Sequence, residues 1–121
     1  MNSLLIFLII GLIIVFFVKF QGGGIKVPSI DSSELMMLRA RHSDLEVIDV
    51  RTPAEIARGK MKGAHEINFM SSNFKKRLEH LPKDRPYLVY CRSGRRSASA
   101  CSAMLEMGFS QVYNLRGGYA G

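Results

Sequence analysis

The sequence predicts an α/β fold with a mainly parallel central sheet flanked by helices, and three observations carry that prediction. Short strand-like segments alternate with helical segments, the order typical of parallel sheets. The run from Tyr87 to Tyr90 is continuously apolar, as expected for a strand that is buried on both faces. That strand leads directly into a polar loop, which leads into a helix. We therefore expect residues 27–121 to form one α/β domain.

An apolar segment precedes this domain. Residues 1–18 contain no charged side chain, and the apolar run from Leu4 to Val18 is broken only by Gly11. A run of this length lies between a signal-peptide core and a membrane-spanning helix. The first residues lack Lys and Arg, and no small-x-small cleavage motif follows, so the sequence favours a single membrane anchor over residues 1–20. Residues 21–26 are rich in glycine and are expected to form a flexible linker.

The charges that follow the apolar segment predict its orientation. Lys19 and Lys26 come after it, and the domain beyond is basic. Because basic flanks prefer the cytoplasmic side of a membrane, we expect a single-pass protein with a cytoplasmic domain. Contact with the membrane would run through residues 4–20, and a periplasmic domain is the alternative.

The first half of the domain is predicted to contain three strands and two helices. Asp31 and Glu34 have the spacing of a capping box, in which two side chains bind the first backbone N–H groups of a helix. Pro53 suits the first turn of the second helix. The apolar side of the first helix is expected to include Leu35, Met36 and Leu38. The predicted elements are a strand over 27–30, a helix from 32 to about 41, a strand over 45–50, a helix over 53–56 and a strand over 64–67.

The second half is predicted to contain two helices and two strands. Pro82 and Gly108 are expected to end the two helices, since proline and glycine interrupt helical structure. Gly117 and Gly118 are expected to end the last strand. The predicted elements are a polar helix over 71–80, a strand over 87–90, a helix over 97–107 and a strand over 112–115.

All the charged side chains of the chain follow the uncharged run of residues 1–18, with 17 Lys and Arg against 10 Asp and Glu and a net charge of +7. Such an excess attracts nucleic acid, anionic lipid or small anions. The sequence has neither the aromatic motif of RNA-binding sheets nor zinc-finger spacing, so no nucleic-acid partner is expected. The two cysteines fit no metal-site spacing, and no metal or cofactor is predicted. Cys101 is expected to be a small buried core residue without a disulfide to Cys91.

The loop after the apolar strand is the candidate site. Cys91 stands where that strand ends, and ligands of open α/β sheets bind at the carboxyl ends of strands. Gly94 permits the sharp turn into the next helix, so backbone N–H groups and the helix amino terminus can face the sulfur. Arg92, Arg95 and Arg96 add positive charge. The sequence therefore predicts an anion cradle around an activated thiolate with a lowered pKa.

Four segments, in order, resemble the signatures of the rhodanese-like domain family. The resemblance covers roughly residues 25–121. The matching segments are Val47–Glu55, Gly59–Asn68, the active-site loop Tyr90–Ser97 and the final strand with its diglycine, Asn114–Tyr119. Two features depart from the family pattern. Lys60 and Lys62 replace its usual His and Pro, and after the diglycine the chain has neither the usual Trp nor a closing helix.

The resemblance implies a sulfurtransferase. Cys91 would take sulfane sulfur from a small anionic donor such as thiosulfate, become a persulfide, and pass the sulfur to a thiophilic acceptor without a cofactor. That acceptor would be cyanide, a thiol or a protein. The substrate-binding residues would be Arg92, Ser93, Gly94, Arg95, Arg96 and Ser97. The supporting residues would be Asp49, Arg51 and Glu55, with Arg51 paired to Glu55.

Two alternatives stay open. One is a non-catalytic or partner-dependent module at the membrane that relays sulfur or senses redox state. The other is a phosphatase or arsenate reductase, because related enzymes of that kind use a Cys-x5-Arg loop. Here the position of that arginine holds Ser97, and Arg96 comes one residue earlier. The shorter loop favours a sulfur adduct over a tetrahedral phosphate.

Overall fold

The computed structural model describes residues 26–120, together with Ser3, Leu5, Ile6 and Leu8. The predicted anchor over 1–20 and linker over 21–26 therefore lie outside the described residues, apart from those four positions and Lys26. Among the described residues, no helix combines the length and the apolar character needed to cross a membrane.

Within residues 26–120, five strands form a single sheet in the spatial order β1-β5-β4-β2-β3. All four neighbouring pairs run parallel, which confirms the predicted α/β class. The strands are β1 (Ser29–Ile30), β2 (Glu46–Asp49), β3 (His65–Glu66), β4 (Pro86–Tyr90) and β5 (Gln111–Leu115). The helices are α1 (Ser32–Arg41), α2 (Pro53–Ile56), α3 (Phe74–Glu79) and α4 (Arg95–Glu106), followed by a 3-10 helix (Gly118–Ala120).

Strand β4 lies at the centre of the sheet and is buried along its whole length. Its side chains alternate between two hydrophobic clusters, as successive residues of a strand must. Tyr87 and Val89 pack with residues of α3 and α4 on one face. Leu88 and Tyr90 pack with Leu38 of α1 on the other face. The sheet is thus covered on both sides, which is what a parallel sheet requires.

Most element boundaries fall close to those expected from the sequence, and both capping boxes form. Asp31 caps α1 by accepting the N–H of Glu34, and Thr52 caps α2 by accepting the N–H of Glu55. Pro53 occupies the first turn of α2, as predicted. Cys101 is fully buried and neither cysteine forms a disulfide, as expected.

Three local predictions are wrong. Met36 is 79% exposed, so it does not belong to the apolar side of α1. Helix α3 starts at Phe74 rather than at residue 71, because Ser71 and Asn73 bind each other and form a turn before it. Helix α4 begins at Arg95, two residues earlier than expected, since Gly94 already makes the turn that starts it.

Candidate active site

Cys91 follows directly after β4, at the carboxyl end of the central strand. Strand β2 runs parallel beside it and brings Asp49 level with Tyr90. The site predicted from the sequence therefore lies beyond the carboxyl ends of the strands, where open α/β sheets bind their ligands. Cys91 itself is fully buried.

The loop wraps hydrogen-bond donors around the sulfur. Gly94 adopts a left-handed conformation with φ of 101° and is the N-cap residue of α4. This conformation is costly for a residue with a side chain, so glycine is favoured there. It directs the N–H of Gly94 at Cys91 Sγ, 3.0 Å away. The hydroxyl of Ser97, in the first turn of α4, lies 3.3 Å from the same sulfur. The predicted anion cradle is present.

These contacts set the ionisation of the thiol. Burial by itself would raise the pKa of Cys91, because a buried charge loses its hydration. Hydrogen bonds from the Ser97 hydroxyl and from the backbone N–H groups of Ser97, Gly94 and Ser93 outweigh burial and lower the pKa below its ordinary value. The site thus favours the thiolate, which is the nucleophilic form of cysteine.

Asn114 positions this cradle, although the sequence did not single it out as a site residue. Its Oδ1 lies 2.5 Å from the Ser97 hydroxyl oxygen, and its Nδ2 donates to the carbonyl of Gly94 at 3.2 Å. The side chain is buried on β5. A polar residue between Tyr113 and Leu115 in a strand segment was the available signal, since a buried amide needs partners.

The three loop arginines occupy different environments. Arg92 and Arg95 are exposed. Arg96 is half-buried and donates to Glu55 through Nη1 and Nη2, at 2.7 and 2.9 Å. The hydrogen bonds from Arg96 lower the pKa of Glu55 to about 2. The ion pair thereby connects the loop after Cys91 to helix α2.

The predicted pairing of Arg51 with Glu55 is wrong. Arg51 instead binds Asp49, with Nη2 2.7 Å from Oδ2 and Nε 3.0 Å from Oδ1, and both side chains are buried. Nη2 also donates a hydrogen bond to the carbonyl of Gly59 at 2.7 Å. The reason is local: α2 begins at Pro53 and carries Glu55 towards Arg96, whereas Asp49 already accepts the backbone N–H of Arg51.

An aromatic stack surrounds this buried pair. The Arg51 guanidinium lies 4.2 Å from the ring centre of Tyr119 and 5.5 Å from that of Tyr90. The hydroxyl of Tyr90 donates to Asp49 Oδ2 at 2.7 Å. Burial, followed by the bond to Asp49, raises the pKa of Tyr90 to about 12, so this hydroxyl remains a donor. The sequence did not single out Tyr119 as part of the site.

The residues after β5 donate backbone hydrogen bonds to the loop that begins at Cys91. The backbone N–H of Tyr119 donates to the carbonyl of Cys91 at 2.8 Å, and that of Ala120 donates to the carbonyl of Arg92 at 3.1 Å. Gly118 packs so closely that a side chain there would overlap both carbonyls. A 3-10 helix thus begins at the second glycine of the diglycine, and its hydrogen bonds fix the backbone that carries the nucleophile.

A cavity of about 420 Å³ opens beside this loop. Its lining includes Arg51, Ala54, Glu55, Arg58, Arg92 and Tyr119. His65 lies away from it and binds Glu46 at 2.9 Å on an exposed part of the sheet. Within the described part of the chain, no three His, Cys, Asp or Glu side chains are grouped closely enough to hold a metal ion.

Comparisons with known proteins agree with this geometry. A family model described as "Rhodanese-like domain" matches residues 33–121. The chain is 41% identical over 92 residues to a sulfurtransferase of Allochromatium vinosum, covering 76% of this chain and 84% of that protein. It is 34% identical over 80 residues to the thiosulfate sulfurtransferase GlpE of Pseudomonas aeruginosa, covering 65% of this chain and 70% of that protein. The crystal structure of a rhodanese-like domain protein from Staphylococcus aureus superposes with a TM-score of 0.68 and 27% identity, over 78% of this chain and 92% of that one.

Proposed function

The chain belongs to the rhodanese-like domain family, and on that basis we propose that it is a sulfurtransferase in which Cys91 carries sulfur as a persulfide. Relatives named sulfurtransferases support the general role. The observation that carries the proposal is the cradle of Gly94 and Ser97 donors around Cys91 Sγ, at 3.0 and 3.3 Å.

Transfer proceeds in two displacements. The Cys91 thiolate attacks the outer sulfur of a donor such as thiosulfate, a sulfur–sulfur bond to Cys91 forms, and sulfite leaves with the electron pair of the broken bond. An acceptor then attacks the outer sulfur of the Cys91 persulfide and restores the thiolate. Cyanide would leave as thiocyanate, and a thiol would leave as a new persulfide. This is covalent catalysis by a nucleophile that needs no general base, because the cradle already favours the thiolate.

The cradle suits both states of Cys91. N–H and O–H groups that stabilise a thiolate can equally stabilise the negative charge on the outer sulfur of a persulfide. Arg92, Ser93, Gly94, Arg95, Arg96 and Ser97 are proposed to bind the donor around this sulfur, with Asp49, Arg51 and Glu55 in support. Of these, Asp49 and Arg51 have a structural role, because they form a buried ion pair with each other.

Mass spectrometry after exposure to thiosulfate tests the proposal. The intact protein should gain one sulfur, ~32 Da, on Cys91 and lose it on addition of cyanide or a thiol. Cys91→Ser should neither gain the sulfur nor form thiocyanate, whereas Cys101→Ala should do both. No persulfide on Cys91 with any sulfane-sulfur donor would overturn the proposal, and hydrolysis of an aryl phosphate would point to the phosphatase alternative.

A partner-dependent relay is the second candidate, and the complete burial of Cys91 favours it. A donor reaches the sulfur only when the loop or a neighbouring side chain moves, and a partner protein could supply that displacement. Persulfide on Cys91 in cells, combined with slow turnover of thiosulfate by the purified protein, would distinguish a relay from a freely acting enzyme.

We further propose that residues 4–20 attach the domain to the cytoplasmic face of a membrane. The support is the uncharged apolar run of Leu4 to Val18 and the basic residues after it. A carboxyl-terminal fusion to a reporter that is active only in the periplasm tests the orientation. Activity of the reporter would reverse it, and a protein found wholly in the soluble fraction would remove the anchor.

A further inference from the structure

Helix α1 presents methionine side chains to solvent. Leu38 is buried against the sheet, whereas Met36 and Met37 are 79% and 67% exposed. Both belong to one stripe along the outward side of the helix, because positions three and four apart share a side. This methionine stripe consists of Ser33, Met36, Met37 and Ala40, all of them exposed. Large apolar side chains that lie together in solvent mark a contact surface, whereas single ones need no explanation.

Two arginines flank the methionine stripe at the carboxyl end of α1. Arg39 and Arg41 are exposed in the last turn, and at about 100° per residue they fall on opposite sides of the stripe. Neither forms an ion pair within residues 26–120. The acidic residues Asp31 and Glu34 lie at the other end of the helix, 3.8 and 3.6 Å from Nη2 of Arg116. The last turn of α1 therefore offers positive charge beside an apolar surface.

This end of α1 lies close to the point where the chain enters the domain. The ring of His42, which ends α1, is 6.2 Å from the ring of Tyr113 on β5. The next residue of β5, Asn114, accepts the incoming chain by donating its N–H to the carbonyl of Pro28 at 2.8 Å. Adjacent residues of β5 thus contact both the end of α1 and the first residues of the domain.

A short stretch of sequence separates this end of the domain from the apolar segment. Phe20 and Lys26 are joined by six peptide steps, which span at most about 20 Å even when fully extended. Lys26 is exposed and adds a third cation to the two arginines, against Asp44 in the turn after α1. With residues 4–20 in a bilayer, the lipid surface is within reach of these cations. Anionic headgroups attract basic residues that lie this close to a membrane.

We propose that the methionine stripe of α1 lies on the surface of an anionic bilayer. Arg39 and Arg41 bind lipid headgroups, and Met36 and Met37 enter the boundary between headgroups and acyl chains, as the apolar side chains of interfacial helices do. The chain enters at the amino end of β1, whereas Cys91 follows the carboxyl end of β4, which runs in the same direction. The contact therefore directs the Cys91 loop away from the membrane. This inference rests on the proposed membrane attachment and is independent of sulfur transfer.

Tryptophan fluorescence tests the contact, because the chain contains no Trp and each variant then carries a single fluorophore. Met36→Trp places it in the stripe, and Met70→Trp is the matched control. Met70 is 68% exposed, and its neighbour Phe69 packs with the hydrophobic cluster on the face of the sheet opposite α1. Both full-length variants are reconstituted in vesicles of phosphatidylcholine, with or without phosphatidylglycerol. Brominated phosphatidylcholine is included as a quencher that acts on contact with the acyl chains.

In the anionic vesicles we expect the emission of Met36→Trp to shift to shorter wavelength and to be quenched by the brominated lipid. The emission of Met70→Trp should stay at the wavelength of a water-exposed indole and resist quenching. Adding Arg39→Gln and Arg41→Gln to Met36→Trp should lower the equilibrium constant for surface contact, obtained from the quenched fraction, about fivefold for each arginine removed. The same two changes should have little effect in vesicles of phosphatidylcholine alone.

Flotation of the protein with the vesicles in a density gradient separates the possible failures. Equal quenching of Met36→Trp and Met70→Trp, or no quenching of Met36→Trp in protein that floats, would overturn the inference while the attachment stands. A wavelength shift that grows with protein density and ignores the brominated lipid would indicate contact between copies of the chain, and would overturn it too. Protein that floats with neither vesicle would overturn the attachment together with the inference.

Discussion

The hydroxyl oxygen of Ser97 lies 3.3 Å from Cys91 Sγ. It lies 2.5 Å from Asn114 Oδ1 as well, yet a hydroxyl has only one proton to donate. Asn114 Oδ1 and Cys91 Sγ therefore compete for the single hydrogen bond that the Ser97 hydroxyl can donate. A thiolate is a stronger acceptor than a neutral thiol, so ionisation of Cys91 favours the bond to sulfur.

Replacing this hydroxyl tests its share in activating Cys91. Ser97→Ala removes a donor to the thiolate but keeps the backbone N–H groups, so the pKa of Cys91 should rise towards its ordinary value. The rate of alkylation by iodoacetamide at neutral pH should fall about tenfold, as expected for one hydrogen bond to a charged group. The measurement is the rate against pH. Ser110→Ala, which removes an exposed hydroxyl, should leave the profile unchanged, and an unchanged profile in Ser97→Ala would contradict this role.

The two cysteines should react very differently with the same reagent. Burial, together with the smaller effect of the nearby charge of Cys91, raises the pKa of Cys101 to about 12. The pKa of Cys91 is lowered, so its thiolate is present at lower pH. At neutral pH we expect peptide mapping to find the label on Cys91 alone, and Cys91→Ser to stay unlabelled until denaturant is added. Labelling of Cys101 in the folded protein would show that α4 opens.

The parts of the site that follow from local chemistry were predictable from the sequence. The apolar run into Cys91, the glycine at the turn and the start of a helix are all signals within a few residues. They correctly predicted strand β4, the donors around the sulfur and the direction of its pKa shift. The capping box of Asp31 is recognisable for the same reason.

The tertiary contacts of the site were not predictable in this way. Arg96 and Glu55 are 41 positions apart, and Ser97 and Asn114 are 17 apart, so no local pattern links them. The family resemblance implied Arg51 as the partner of Glu55, but which cation reaches a carboxylate depends on how α2 and α4 pack. Tyr119 likewise gains its role only when the end of the chain folds back onto the loop.

The ion pair of Arg96 and Glu55 should make the free energy of unfolding depend on pH in the acid range. The pKa of Glu55 is lowered from 4.5 to about 2, so the folded state favours its charged form. The pair therefore stabilises the fold above pH 4.5, and this contribution is lost as the pH falls towards 2. Glu55→Gln should lower the free energy of unfolding near neutral pH by about 1–2 kcal/mol, a value that allows for the partial exposure of both side chains.

Urea unfolding of wild type and Glu55→Gln across this pH range measures the effect. The difference between the two proteins should shrink as the pH approaches 2. Glu79→Gln, at the exposed end of α3, removes a carboxylate without such a partner in the described residues and should show no comparable change. A difference between wild type and Glu55→Gln that is constant with pH would contradict the ion-pair origin.

Gly118 should be far less tolerant of a side chain than Gly63, although both have positive φ, of 59° and 78°. At Gly63 an added Cβ meets no atom within 4 Å, so Gly63→Ala should cost only the backbone strain, about 1–2 kcal/mol. At Gly118 the Cβ would overlap the carbonyl oxygens of Cys91 and Arg92 and push the 3-10 helix away from the loop. Gly118→Ala should therefore lose more stability in urea unfolding and also change the rate at which Cys91 is alkylated. Equal losses in the two variants, with the alkylation rate unaltered, would mean that the contact does not hold the nucleophile in place.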